Sequence, residues 1–241
     1  MDQHGEYWSL VKIFTLLGII LSGSAHADCR QALAMGLDVS GSVDSQEYFL
    51  QLNGLAAALL HEDVRHALLS MPSDPVSLAV YEWSGPTSQK LLADWSVITN
   101  RDDLNNFTTG LLQAKRRNTD PSTAIGSSII YGADLLSRQK NCTVLTLDLS
   151  GDGPSNFGPL PRNLPNHPLI NQITVNALAI QTSNIYGRSL DLEKYFEAEV
   201  IRGTDAFVEK ANGFEHFEAA MIRKLLRELR GLNLSRLQPN Q

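Results

Sequence analysis

Ala32-Leu33-Ala34-Met35-Gly36-Leu37 runs straight into Asp38-Val39-Ser40-Gly41-Ser42, and the polar segment Asp44-Ser45-Gln46-Glu47 follows. An unbroken apolar run reads as a strand buried on both faces, as in the middle of a parallel sheet. Ser and Gly mark a tight turn. Asp44, with Glu47 three residues on, forms a capping box that opens a helix. The order is therefore strand, turn, helix. Within the turn, Asp38, Ser40 and Ser42 alternate at a spacing of two, so a locally extended backbone can aim all three oxygens at one point. One carboxylate and two hydroxyls are hard donors that suit Mg2+ and not zinc. The same residues are ordinary turn formers, so the rest of the chain must decide between a ligand set and a plain turn.

Beyond the turn, Tyr48, Leu52, Leu55, Leu59 and Leu60 recur at helical spacing, interrupted by Gly54, and Glu62–Leu69 reads as a further short helix. His61 and His66 are five apart, which misses the same-face spacing of a helical metal pair, and they read as surface residues. Val76–Trp83 and 90–98 are strands joined by a short link through Gly85 and Pro86, so they form an antiparallel hairpin. A helix is expected over 102–112, followed by Lys115-Arg116-Arg117, a solvated basic loop whose alternative use is an anion contact. Thr123 sits where a loop becomes a helix, an N-cap position, and that helix runs to Leu136. Residues 142–149 form a strongly apolar strand that ends in Ser150-Gly151-Asp152-Gly153-Pro154. A fifth strand covers 173–180, and a short helix 190–196. Val200-Ile201 and Ala206-Phe207-Val208 give a last strand region, and an amphipathic helix over 214–229 closes the fold.

Strands alternating with helices indicate an α/β, doubly wound, mainly parallel sheet with helices on both faces. Ligands bind such sheets at the carboxyl ends of the strands, near the point where strand order reverses. Asp38, Thr123 and Asp152 all fall in loops of that kind.

The amino terminus reads as a secretory leader. Lys12 precedes the apolar run over 13–21, and Ala25-His26-Ala27 offers small residues at the two positions a signal peptidase reads, so cleavage is expected after Ala27. That leaves one domain over 28–241, exported to the periplasm or the medium, with no membrane span after cleavage. The chain carries 20 Lys and Arg against 26 Asp and Glu, a formal net charge of −6. Scattered, mildly acidic charge makes the chain a poor candidate for binding nucleic acid or anionic membrane surfaces.

Taken together, Asp38-x-Ser40-x-Ser42, then Thr123, then Asp152-Gly153 resemble the metal-ion-dependent adhesion site of von Willebrand factor type A domains. More narrowly, Asp38-Val39-Ser40-Gly41-Ser42-Val43, Glu82-Trp83-Ser84, Thr123-Ala124-Ile125-Gly126, Ser150-Gly151-Asp152-Gly153 and Ala206-Phe207-Val208 look like an exported bacterial subgroup of unknown function. The resemblance implies a Rossmann-like sheet of about six strands with the hairpin strand as an antiparallel edge. It also implies that Ser40 and Ser42 ligate the metal directly. Asp38 and Asp152 would act directly or through water, and Thr123 in one conformational state. The cation would be Mg2+, with Mn2+ or Ca2+ possible, and the partner a protein presenting a carboxylate. Two positions depart from the family's habit: Ser122 stands where Gly often precedes the threonine, and Gly151 where Thr usually precedes the aspartate. With the two aspartates ending adjacent parallel strands, as this fold implies, Cys29 and Cys142 face each other at the opposite edge, and in an oxidising compartment they form a disulfide.

Two other functions compete with binding. A metal-dependent hydrolase would need a general base within reach of a metal-bound water, and Glu82 is the one candidate. A structural domain with a vestigial turn is the other. No Gly-x-Ser-x-Gly elbow accompanies a plausible His, and no Walker-type phosphate loop is present. The reading is a binding domain and not an enzyme.

Overall fold

The strand Cys29–Asp38 (β1) is buried along its whole length, as the apolar run requires, and it lies inside a six-stranded sheet. The structure is a computed structural model that describes residues 29–117, 120–164, 167–182 and 190–236, with side chains described to 229 in the last helix. The leader expected over 1–27 lies outside the described residues. After β1 come the helices Ser45–Leu60 (α1) and Glu62–Leu69 (α2), the strands Val76–Trp83 (β2) and Gln89–Ile98 (β3), and the helices Arg101–Leu112 (α3) and Ile125–Ser137 (α4). The strands Cys142–Gly151 (β4) and Thr174–Ile180 (β5), the helix Leu192–Glu199 (α5), the strand Val208–Ala211 (β6) and the helix Phe217–Arg236 (α6) complete it.

The sheet order is β3-β2-β1-β4-β5-β6. β1 pairs in parallel with β2 and β4, β4 with β5 and β5 with β6 are also parallel, and β3 is the antiparallel edge. The doubly wound α/β sheet expected from the sequence is therefore present. Strand order reverses between β2 and β4 on either side of β1, which puts the end of β1 at the switch point.

The alternation of side chains across β1 sets the two cores. Leu33, Met35 and Leu37 face the layer that holds α1, α3 and α6. Ala32 and Ala34 face α4 and α5, with Ile125, Ile129 and Phe196. Gly54 is not a flaw in α1. A Cβ there would lie 2.9 Å from the Phe217 ring, so its absence lets α6 approach α1 closely.

The register that pairs Cys29 with Cys142 also brings their sulfurs together, and the two are joined in a disulfide with Cα atoms 4.2 Å apart. It closes a loop of 113 residues, so Cys29→Ser should cost about 2–4 kcal/mol in urea unfolding. The bond lies at the edge remote from the end of β1, and metal affinity should be unchanged.

Two expectations are corrected. Val200 belongs to the end of α5, where its N–H bonds the Phe196 carbonyl, and Arg202 makes an isolated antiparallel bridge to Val175. The sixth strand starts at Val208 and includes Glu209 and Lys210, polar residues that hide a short edge strand from an apolar reading. Thr123 is not the N-cap of α4. That position is Ala124, with no side-chain cap.

Candidate metal centre

Asp38 is the last residue of β1 and is fully buried. Past it, the chain turns under tight control: Val39 N–H bonds the Trp83 carbonyl, Gly41 N–H bonds the Pro121 carbonyl, and Val43 N–H closes the turn onto Ser40. The capping box then starts α1, with the Asp44 carboxylate accepting from the Gln46 and Glu47 amides and Glu47 accepting from Asp44 N–H. From α1, buried Gln51 donates to the Asp38 carbonyl and accepts from Ser150 Oγ. That residue locks the ends of β1 and β4 together, and its polarity on a buried helix face was the signal available in the sequence.

Four of the five expected residues are in direct contact. Ser40 N–H donates to Asp38 Oδ1 at 2.8 Å, Ser40 Oγ lies 3.2 Å from Ser42 Oγ, and Ser42 Oγ donates to Asp152 Oδ1 at 2.7 Å. Thr123, on the loop before α4, is buried, but no hydrogen bond ties its side chain to the other four among the described residues. Its backbone is clamped instead, with its N–H on Asn156 Oδ1 and its carbonyl accepting from Asn156 N–H. Asn156 went unnoticed in the sequence, since a lone Asn in a loop carries no pattern.

The electrostatics of the cluster are unfavourable as it stands. Asp38 Oδ2 is buried and has no hydrogen-bond partner among the described residues. A Cβ on Gly151 would lie 3.3 Å from that oxygen and 3.3 Å from the Phe196 ring, so the glycine leaves the space beside the oxygen open. Burial first, and the nearby Asp152 charge second, push the Asp38 carboxyl up to about 7. Burial likewise raises Asp152 above the ordinary carboxylate range. Two carboxylates, one of them carrying the unpartnered buried oxygen, and two hydroxyls in mutual contact form one donor set. That chemistry fits a hard divalent ion.

The basic loop is not merely solvated, which corrects the sequence reading. Arg116 donates through Nη1 to the Asp44 carbonyl, and Arg117 Nε donates to Glu82 Oε1 at 3.2 Å. Glu82, 1% exposed, also accepts from the Tyr48 hydroxyl at 3.4 Å. Both its oxygens are engaged, so it is an anchor for Arg117 and is poorly placed as a free base.

Residues 28–233 match the family model described as "Protein of unknown function (DUF1194)". The chain belongs to that family. A comparison with curated protein sequences returns no match for this DUF1194 member. Among solved structures, the chain is similar to proximal thread matrix protein 1 of the mussel byssus, in a structure titled with a zinc-occupied MIDAS motif. That likeness has a TM-score of 0.61 at 17% identity, over 84% of this chain and 48% of that one. The pilus adhesin SpaC from Lactobacillus rhamnosus GG gives 0.62 at 13%, over 85% and 31%. A von Willebrand factor type A protein from Catenulispora acidiphila gives 0.52 at 12%, over 85% and 43%. The DUF1194 chain spans about half or less of each of these proteins. At such identities the likeness establishes the fold alone: the chain folds as these von Willebrand factor type A-like structures do.

Proposed function

We propose that this DUF1194 protein is an exported binding domain that holds a divalent cation and captures an acidic group of a protein partner on it. Ser40 and Ser42 serve as direct ligands, Asp38 and Asp152 as ligands directly or through water, and Thr123 as the ligand of one conformational state. Mg2+ is the expected ion, with Mn2+ or Ca2+ able to replace it, and the zinc-occupied MIDAS motif of the mussel protein adds zinc to the ions worth testing. The observation that carries the reading is the buried, unpartnered Asp38 Oδ2 beside a second carboxylate. A cation at that point offsets the mutual repulsion and the burial cost together. With three neutral hydroxyls in the set, the ion keeps enough charge to attract an outside carboxylate.

Export is supported by the disulfide, a bond that persists in oxidising compartments. Among the described residues no helix is long and apolar enough to cross a membrane. Binding without turnover is supported by Glu82, whose oxygens are committed to Arg117 and Tyr48.

The test is water-proton relaxation of the Mn2+-loaded protein titrated with N-acetyl-aspartate amide. The reading predicts that relaxation enhancement falls as the added carboxylate displaces a metal-bound water. An enhancement unchanged at saturating carboxylate, or slow release of hydrolysed product from ester and phosphoester probes, would contradict it.

A further inference from the structure

Beside Ser40 the surface opens into a cleft of about 360 Å3, lined on one side by Ser40, Gly41, Ser45 and Pro121 and on the other by Arg116 and Arg117. Metal binding as described makes no use of either arginine. Both are nevertheless held in place. Arg117 is 49% exposed at its side chain but rests its Nε on a glutamate that is 1% exposed. Arg116 rests on the Asp44 carbonyl, with its guanidinium 5.9 Å from the Tyr48 ring centroid. Tyr48 in turn donates to Glu82, so one buried Tyr–Glu pair orients both guanidinium groups toward the metal loop.

Among the described residues, these contacts engage Arg117 through Nε alone and Arg116 through Nη1 alone. The two terminal nitrogens of Arg117 are left as a fork of the geometry that receives a carboxylate through two parallel bonds. Neutralising Glu82 accounts for one arginine and not for the second. A positive wall on a chain of net charge −6, sharing Ser40 with a site that takes an acidic group, is complementary to more negative charge on the same ligand.

We propose that the segment captured at the metal carries a second acidic side chain, and that Arg116 and Arg117 receive it. The ligand class is then a peptide segment with two carboxylates. This rests on the carboxylate-capture reading above and adds the determinant of specificity.

The test uses fluorescently labelled peptides and the Mg2+- or Mn2+-loaded protein, read by anisotropy. One peptide carries a single Asp among Gly and Ser. The others carry two Asp separated by up to about four glycines. One spacing should bind about tenfold tighter than the single-Asp peptide, the usual worth of charge-assisted hydrogen bonds, and the gain should shrink with salt. Arg116→Ala and Arg117→Lys should each remove most of that gain. Neither should change metal affinity or single-Asp binding, and Arg117→Lys retains a cation beside Glu82, so it also guards against misfolding. If no two-acid peptide binds tighter than the single-Asp peptide, or both variants keep the gain, the inference is overturned. If the metal binds but no peptide does, the carboxylate-capture reading falls with it.

Discussion

Asp38→Asn should abolish metal binding and at the same time make the metal-free protein more stable near pH 8. The two effects have one cause. In the folded protein the Asp38 carboxyl is pushed up to about 7, by burial first and by Asp152 second. The folded state therefore binds a proton more tightly than the unfolded chain, whose carboxylates titrate near pH 4. The stability linked to that proton is fully present below about pH 4 and is lost as pH rises through about 7, a loss on the order of 4 kcal/mol. Asparagine cannot ionise, so the variant escapes this loss. Thermal melts at pH 5 and pH 8, with and without Mg2+, read the effect. The parent should weaken between the two pH values and recover with Mg2+ at pH 8, whereas the variant should weaken less, keeping only the smaller contribution of the buried Asp152 carboxyl, and should gain nothing from Mg2+. A parent insensitive to pH, with a variant less stable than the parent at pH 8, would contradict the account of Asp38.

The second large effect lies away from the metal loop. Lys224 on α6 is completely buried and bonds both Asp148 on β4 and Glu228 one turn on. Asn176 on β5 donates to the same Glu228 oxygen at 2.7 Å. Burial pushes the Lys224 ammonium below its usual range, against the pull of Glu228. Lys224→Met leaves two carboxylates buried without their cation and should cost about 3–5 kcal/mol at neutral pH. The stranded acids would then protonate more readily when folded, so the deficit should be smallest at acid pH and grow as pH rises. Replacing Asp148 and Glu228 by apolar residues together with Lys224→Met should recover most of the loss, because the desolvation cost of the whole cluster disappears. Urea unfolding of the single and triple variants checks both statements. A single variant within about 1 kcal/mol of the parent would show that the cluster contributes little.

Legibility in the sequence followed from how local each signal was. The apolar run of 32–37 and the capping box at Asp44 and Glu47 are neighbours in sequence, and both elements stand where the pattern placed them. The contacts among Asp38, Ser40, Ser42 and Asp152 follow from the fold, since parallel strands that start together at Cys29 and Cys142 also end together. Long-range polar pairs were not legible. Asp148 sits within a strand that reads as strongly apolar, and its partner is 76 residues away. Glu82 and Arg117 are 35 apart, so neither announces the other, and the basic loop read as solvated. Thr123 was misplaced as a cap because a hydroxyl before a helix usually bonds the first turn, whereas here the loop backbone is held by Asn156. The edge strand β6 is obscured because it is short and half-buried over Val208, Glu209 and Lys210, two of which are charged.

Calorimetric titration of Mg2+ and Mn2+ into the domain, beside Ser40→Ala and Asp152→Asn, tests the central claim most directly. The account predicts one site in the parent and a loss of affinity of at least about a hundredfold in each variant, as the removal of a ligand or of half the compensating charge demands. Equal, weak uptake by all three proteins would mean that the loop after β1 is a turn and not a metal centre.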